Sequence, residues 1–264
     1  MLESISDTFL NTTNKEFRVL IAIENKMKFY EWVPIEEIAS FTNYELKEVS
    51  YILSNLAVNK LIHRNIQAYE GYRIYFEAYD LLALNAFVKR GSVNALGDEI
   101  GVGKKESVVY EAKGGIIDRK VIIKFHREGK MSFKKVRIKR EHIGERKHLS
   151  WLYASRLAAK REYDALKTLY PEVSVPEPVD YNRHAIVMSI AKGQELAHTK
   201  IDEPDWYLDE ILEQVRKAYR LGIIHGDLSE FNIFVNPEGC VLSFFNRKYR
   251  IKRDIREVIN TIVT

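Results

Sequence analysis

Residues 223–233 read Ile-Ile-His-Gly-Asp-Leu-Ser-Glu-Phe-Asn-Ile, and the interpretation of the whole chain starts from this stretch. Asp227 follows His225 by two residues, and Asn232 follows Asp227 by five. An aspartate can orient or accept the proton of a hydroxyl, while an asparagine oxygen can bind magnesium. Both side chains can reach one γ-phosphate from a single short loop, so the spacing indicates phosphoryl transfer. The alternative is a chance polar loop between two apolar runs, and it must also explain two further motifs.

The first of these motifs is a lysine inside an apolar strand. Residues 121–126 read VIIKFH, which predicts a β-strand with Lys124 embedded in it. A strand that is buried on both faces should not hold an unpaired charge, so Lys124 needs a phosphate or a carboxylate partner. A helix predicted over residues 151–169 offers Glu162 as that carboxylate. An edge strand with Lys124 in water is the alternative that these residues leave open.

The second motif is a glycine loop over residues 101–107, GVGKKES, between two predicted strands. Gly101 and Gly103 allow the backbone to approach phosphates closely, and successive N–H groups can point at them. Glu106 and Ser107 end the loop. The stretch does not fit the Walker A pattern and lacks the third glycine of the usual kinase loop. Alone it favours a glycine hairpin, so its weight comes from preceding the strand lysine and the 223–233 loop.

A glycine loop, a strand lysine and a catalytic loop occur in this order in protein kinases. Residues 225–232 resemble the catalytic loop of the RIO family of atypical serine/threonine-protein kinases. Further segments resemble the branch of that family that carries an amino-terminal winged helix, and they are residues 101–107, 125–129, 132–136, 150–159 and 181–188. The resemblance covers nearly the whole chain, and its motifs are specific.

The resemblance implies a nucleotide site for ATP with Mg²⁺ or Mn²⁺. Asp227 would be the catalytic aspartate, and Lys124 would hold the α- and β-phosphates with Glu162 as its partner. Met188 to Ile190 would be the hinge that meets adenine. The phosphate loop would consist of Gly101, Gly103, Glu106 and Ser107. Asn232 would be one metal ligand, and Ser243 stands where the second belongs.

This chain departs from the family pattern in three places. The glycine loop contains one lysine more than the usual Gly-x-Gly-Lys-Glu-Ser, which shifts the placement of Ser107. Residues 242–246 read LSFFN where the family has Ile-Asp-Phe-Pro, so Ser243 replaces an aspartate that is also implicated as a phosphate acceptor. A hydroxyl is a weak neutral ligand for magnesium, which prefers carboxylate oxygen. The segment from residue 246 to 253 is also shorter than in the family.

The first ninety residues predict a winged helix, a variant of the helix-turn-helix. A helix around residues 17–24 precedes a short helix over residues 35–39 that starts after Pro34. Thr42-Asn43 is predicted to cap a second helix, and a strand is predicted over residues 73–76. The second helix would bury the face formed by Leu46, Val49, Ile52, Leu53 and Leu56. A linker helix over residues 81–89 would end at Arg90-Gly91.

The fold class is therefore α+β: a winged helix at 1–90, then a compact two-lobed kinase-like RIO domain at 91–264. The small lobe would cover 91–190 and the large lobe 191–264. The winged helix could contact nucleic acid, or it could pack only against protein. Glu45, Lys47, Glu48 and Asn55 give the second helix a mixed-sign exposed side, which is poor for phosphate binding.

A basic run at 127–148 is the second candidate for a nucleic-acid contact. Its basic residues are Lys130, Lys134, Lys135, Arg137, Lys139, Arg140, Arg146 and Lys147. Such runs are usually solvated mobile loops, but this one could also bind RNA phosphates without reading sequence. The family's link to small ribosomal subunit maturation favours RNA, with the precursor small subunit and its rRNA as expected partners.

Composition sets the remaining bounds. The chain has 264 residues, of which 46% are hydrophobic and 30% charged, and a net charge of +4 that does not by itself indicate nucleic acid. One cysteine, Cys240, excludes a disulfide framework or a multi-cysteine metal site. No apolar run approaches the about 20 residues needed to cross a bilayer, and no signal peptide is evident, so we expect a cytoplasmic protein without a membrane partner. Two functions agree with the sequence motifs, namely an enzyme and an ATP-binding assembly factor without turnover. A winged-helix transcription factor agrees least, because it leaves the 223–233 loop unexplained.

Overall fold

The computed structural model describes residues 4–67, 69–100, 107–127, 150–226 and 228–243. Helices and short strands of the amino-terminal part form one packed unit. Its helices are α1 (Ile5–Asn11), α2 (Asn14–Lys26), α3 (Ile35–Thr42), α4 (Leu46–Val58) and α5 (Phe76–Arg90). Its strands are β1 (Val33–Pro34), β2 (Ile62–Asn65) and β3 (Gly71–Ile74), which pair antiparallel in the order β1-β3-β2. This is the predicted winged helix.

Helix α2 starts with a capping box that the sequence analysis overlooked. The Thr13 hydroxyl accepts from the backbone N–H of Glu16, and the Glu16 carboxylate accepts from the backbone N–H of Thr13 at 2.7 Å. The signal was present, because Thr-x-x-Glu before an apolar run is the sequence signature of this motif.

The predicted cap at Thr42-Asn43 is wrong. Thr42 is the last residue of α3, and its buried hydroxyl donates to the carbonyl of Ile38 at 2.8 Å. Asn43 follows in the left-handed conformation with φ of 58°, which asparagine tolerates better than most residues. Both residues therefore end α3, and Glu45 is the N-cap of α4.

Two further expectations for this part need correction. Leu46 is 52% exposed because it opens α4 ahead of the buried face, which otherwise contains the predicted Val49, Ile52, Leu53 and Leu56. The predicted strand at 73–76 is displaced, since β3 ends at Ile74 and Phe76 already begins α5.

Helix α5 is longer and more buried than the predicted linker helix. It ends at Arg90, and Gly91 follows with a φ of 72°, as expected for a glycine C-cap. Its first half, including Phe76, Tyr79 and Leu82, lies in the winged-helix core. Its second half, with Ala83, Leu84 and Phe87, packs under the next sheet. The domain boundary at residue 90 stays a prediction, because α5 belongs to both cores.

The next part of the chain is an antiparallel sheet in the order β4-β5-β6-β8-β7. Its strands are β4 (Ala95–Ile100), β5 (Ser107–Gly114), β6 (Arg119–His126), β7 (Pro178–Asn182) and β8 (Ala185–Ser189). One face, with Val121, Ile123 and Phe125, packs on α5. Because side chains alternate along a strand, Ile122 and Lys124 project to the opposite face. That face meets α6 (Ser150–Leu169), which lies close to the predicted 151–169.

The remaining described elements pack against α6 and β8, in the part of the chain for which a large lobe is predicted. They are β9 (Gln194–Glu195), a 3₁₀ turn (Leu196–His198), α7 (Pro204–Arg220), β10 (Ile233–Asn236) and β11 (Gly239–Leu242). Their core joins Ile233, Val235 and Leu242 to Ile186 and Met188 of the small-lobe sheet. Within the described ranges, none of the helices has both the length and the apolar character needed to span a membrane.

Candidate nucleotide site

Lys124 and Glu162 form a buried ion pair. The Lys124 Nζ lies 2.7 Å from both Glu162 carboxylate oxygens, and each residue is only 4% exposed. Lys124 lies on the central strand β6, which excludes the alternative of an edge strand in water. Glu162 lies on α6, which packs across this face of the sheet. The pairing expected for a strand lysine in an apolar run is therefore present.

The surroundings of the pair determine how its charges behave. Burial raises the pKa of the Glu162 carboxyl, and the adjacent Lys124 ammonium acts in the opposite direction. His126 Nε2 lies 3.3 Å from Glu162, but burial and the Lys124 charge hold the pKa of His126 well below its usual value. His126 is thus neutral near pH 7. Both carboxylate oxygens of Glu162 lie 2.7 Å from Nζ, so the ammonium and the carboxyl are in direct contact at a site with little exposure to solvent.

Strand register places other predicted residues on the same face as Lys124. Ser107 pairs with His126, and Met188 pairs with Ile122, in the antiparallel ladders around β6. Directly opposed residues of a ladder share a face, as do alternate residues of one strand. Ser107, Lys124 and Met188 therefore line one surface of the sheet. Ile190 follows directly after β8 and is partly exposed.

The 223–233 loop is tied to the end of β11. The Nε2 of His225 lies 2.9 Å from the carbonyl oxygen of Ser243. The backbone N–H of Ser243 in turn donates to the carbonyl of Asn232 at 2.8 Å. Gly226 has a φ of +73°, a conformation that strongly favours glycine and turns the chain within the loop. The structure thus joins the backbones of Asn232 and Ser243, and their expected common role at a metal stays a prediction.

Comparisons with known proteins agree with this geometry over most of the chain. The RIO domain family matches residues 108–260, and the Rio2 N-terminal family matches residues 9–90. A RIO-type serine/threonine-protein kinase Rio2 from Methanocaldococcus jannaschii is 40% identical over 252 residues, covering 88% of this chain and 90% of the relative. The chain belongs to the Rio2 branch of the RIO kinase family. Its predicted enzyme class, an ATP-dependent phosphotransferase, is that of its relatives.

Other relatives of the Rio2 branch extend beyond this chain. A serine/threonine-protein kinase rio2 from Dictyostelium discoideum is 37% identical over 225 residues, but the match covers only 43% of its length. A solved Rio2 kinase from Chaetomium thermophilum, described as an ADP/Mg²⁺-phosphoaspartate complex, superposes with a TM-score of 0.80 at 31% identity. It covers 98% of this chain and 79% of the solved chain. The Rio2 fold therefore extends over both the winged helix and the kinase-like part.

Several predicted site residues of this Rio2 family member lie outside the described residues. They are Asp227, Gly101, Gly103 and Glu106, as well as all of the basic run after Arg127. The described neighbours of Asp227, Gly226 and Leu228, belong to the anchored loop. The roles of all predicted site residues toward ATP stay predictions.

The donor set does not fit a complete magnesium site. Asn232 and Ser243 offer an amide and a hydroxyl oxygen, which suit magnesium in kind but carry no charge. Within the part of the chain that the structure describes, no group of three or more His, Cys, Asp or Glu residues could hold a metal ion. Asn232 and Ser243 therefore supply no charged ligand, and Mg²⁺ or Mn²⁺ binding stays a prediction.

A second buried charged cluster, which the sequence analysis missed, lies beside the site. Asp80 of α5 is buried, and its carboxylate contacts His184 Nε2 at 2.7 Å and the guanidinium of Arg127. Burial lowers the pKa of His184 even though Asp80 acts against this. The sequence contains the same signal that identified Lys124, which is a charged residue within an apolar run. Here the charge is Asp80 and the run is residues 78–84. The cluster joins α5 to the ends of β6 and β8.

The winged helix is packed firmly against the small lobe. Arg183 makes a two-pronged ion pair with Glu24 of α2, at 2.9 and 2.6 Å, and also donates to the carbonyl of Leu82. Trp151 of α6 is buried within the winged-helix core. These contacts favour the interpretation of this module as a packing partner of the kinase part. Nucleic-acid binding by the exposed side of α4 stays a prediction.

Proposed function

We propose that this chain binds ATP between its two lobes and transfers the γ-phosphoryl group to a serine or threonine hydroxyl or to water. The observation that carries the proposal is the buried Lys124–Glu162 pair. A cation held this way on a central strand faces the surface that also includes Ser107 and Met188. Phosphate oxygens can share the ammonium with Glu162 at little cost, because the pair is already desolvated and oriented.

In this proposal each residue has one task. Lys124 neutralises the α- and β-phosphates, Met188 to Ile190 contact adenine, and Asp227 orients the attacking hydroxyl. The glycine loop, with Gly101, Gly103, Glu106 and Ser107, covers the phosphates. Asn232 and Ser243 are the candidate residues that would help to hold Mg²⁺ or Mn²⁺, which would supply positive charge at the phosphates. The contacts of His225 and Asn232 with Ser243 support this arrangement by holding the loop against β11.

A second candidate function is that of an ATP-binding assembly factor with weak or no turnover. Ser243 favours it, because a serine supplies no negative charge to a metal and cannot form an acyl phosphate. Nucleotide binding would survive through Lys124 and the hinge, while turnover would suffer. The two candidates therefore differ in how fast γ-phosphate is released.

Restoring a carboxylate at Ser243 separates the two candidates. We expect Ser243→Asp to raise γ-phosphate release about tenfold or more, because metal charge contributes several kcal/mol to the transition state. ATP affinity should change much less. The measurement is phosphate release with Mg²⁺ and with Mn²⁺, on the wild type and the variant. Ser54→Asp on the exposed side of α4 is the control for added charge.

Equal and fast phosphate release by the wild type and Ser243→Asp would contradict the second candidate, because another carboxylate would then hold the metal. Equal but slow release by both proteins would instead show that residue 243 does not reach the metal.

We further propose that the chain works on the precursor small ribosomal subunit in the cytoplasm and contacts its rRNA. The support is the run of eight basic residues between 130 and 147, against only Glu141 and Glu145 within those bounds. Lysine and arginine side chains bind phosphates with a strong dependence on salt and little dependence on sequence. Aromatic residues for base stacking are scarce there, so backbone contact is expected.

Charge reversal tests the RNA contact. A variant with glutamate at four positions of the basic run should bind rRNA at least about tenfold more weakly and with a smaller salt slope. The four positions are Lys134, Lys135, Lys139 and Arg140. The matched control reverses four exposed lysines outside the run, namely Lys113, Lys120, Lys167 and Lys192. Equal affinity and equal salt slopes for wild type and test variant would remove residues 127–148 from the interface.

A further inference from the structure

We propose that the winged helix helps to shape the nucleotide site. Trp151 anchors α6 in the core of the winged helix, and this anchor positions Glu162 of α6 against Lys124. Trp151 is a positioning residue in this proposal and does not touch the nucleotide. The inference rests on the proposed function, since it assigns a role within the proposed ATP site. It goes further in making the amino-terminal module a determinant of nucleotide affinity.

Trp151 is held by aromatic residues at the start of α5. Its ring centroid lies 4.5 Å from that of Phe76 in an edge-on arrangement, and 6.0 Å from that of Tyr79. Tyr75 stacks on it nearly in parallel, with centroids 5.8 Å apart. The residue is 7% exposed and belongs to the hydrophobic core of the winged helix, together with Leu152. Aromatic pairs of this geometry add stability beyond the area they bury.

Helix α6 carries this anchor to the ion pair. Glu162 lies eleven residues after Trp151 within Ser150–Leu169, which is about three turns, so both side chains are on the same side of the helix. Ser155, Ala158 and Ala159 lie between them and are buried. Small residues let the helix approach the sheet closely along this stretch. A change in the position of the first turn of α6 must therefore move Glu162 relative to Lys124.

The same helix, α5, also fixes the strand of Lys124. Its second half packs beneath β6, in contact with the cluster that holds Val121, Ile123 and Phe125. Asp80 binds Arg127, the residue directly after β6. Helix α5 thus holds Glu162 through Trp151 and holds Lys124 through the sheet. Both partners of the ion pair are positioned from one helix of the winged-helix module.

Substitution of Trp151 on the full chain tests the proposal. We expect Trp151→Leu to weaken ATP binding about tenfold, as for a moderate coupling between two sites. Trp151→Phe should retain most of the wild-type affinity, since a phenyl ring can still make the aromatic contact. The control is Tyr153→Ala on the same turn, where the side chain is 53% exposed, and its affinity should equal that of the wild type. Affinity is measured at equilibrium with a fluorescent ATP analogue, below the melting temperature of each variant.

A double-mutant cycle with Glu162→Gln distinguishes positioning from general damage. If Trp151 acts through Glu162, then Trp151→Leu should cause little further loss of affinity in the Glu162→Gln background. An equal loss in both backgrounds, or unchanged affinity in the single variant, would overturn the inference. Phe76→Leu loosens the same contact from the side of α5 and should reproduce the loss if Trp151→Leu does not fold. Failure of the wild type to bind ATP would instead overturn the proposed function.

Discussion

Replacing Lys124 by methionine should lower the free energy of unfolding by about 3–5 kcal/mol, because it leaves the Glu162 carboxylate buried without its partner. The same variant should lose ATP binding. Glu162 is almost fully buried and can reach water only if the site opens. Urea denaturation followed by circular dichroism measures the first effect, and binding of a fluorescent ATP analogue measures the second.

Two companion variants make this result specific. Lys124→Met combined with Glu162→Gln should recover most of the lost stability, since a neutral amide replaces the orphaned charge, but it should not recover ATP binding. Lys120→Met, on the same strand but exposed, should resemble the wild type in both measurements. If Lys124→Met alone were as stable as the wild type, the ion pair would not be the feature that orders this face of the sheet.

The stability of Lys124→Met should also depend on pH in a defined direction. Burial already raises the pKa of Glu162, and removal of the lysine takes away the interaction that opposes this rise. A carboxyl with a raised pKa in the folded state favours the protonated form there. The variant should therefore be least destabilised at acidic pH, and it should lose stability as the pH rises above the usual glutamate value of 4.5.

Replacing Asp227 by asparagine should reduce γ-phosphate release about 10²- to 10⁴-fold while ATP affinity stays close to that of the wild type. An asparagine keeps the size of the side chain but cannot accept the hydroxyl proton. The flanking loop is held by His225 and Asn232 through Ser243, so the substitution should not disturb the fold. The comparison is best made in both the wild type and Ser243→Asp, because the second has the higher expected turnover.

Asp209→Asn, at an exposed position on α7, is the matched control for this measurement. Its turnover should equal that of the unsubstituted chain. Equal turnover for Asp227→Asn and the control would remove Asp227 from the chemistry. The resemblance of residues 225–232 to a kinase catalytic loop would then no longer support the assignment of a catalytic role.

The sequence predicted the pairing of Lys124 correctly because a charged side chain in a buried strand must have a partner. Lys124 is a charge inside an apolar strand, and burial of that strand requires a partner, so the pairing with a helical carboxylate could be expected. Asp80 presents the same conflict, but it lies just before the linker helix predicted over residues 81–89, and no partner was predicted for it. The error arose from the tertiary position of α5, because its burial depends on two cores that are far apart in sequence.

Residue preferences within one segment did not distinguish the start of a helix from its end, and they did not predict distant contacts. Thr42 and Asn43 are both suitable for starting a helix, yet they end one, because the chain needed a left-handed residue at that point. Trp151 was predicted to begin a helix, but nothing in its own segment indicates that its ring reaches the winged-helix core. Such contacts depend on elements separated by about seventy residues, which periodicity cannot connect.

The division of apolar residues along α5 bears on how such a two-part chain can be inherited. Phe76 and Tyr79 fill one core while Leu84 and Phe87 fill the other, and the chain passes between the cores within two helical turns. A recombination break anywhere in that helix would leave both halves with an unfilled cavity. The winged helix of this chain therefore cannot be exchanged for another one independently of the rest of the chain. Its sequence and that of the small-lobe sheet must change together over evolution.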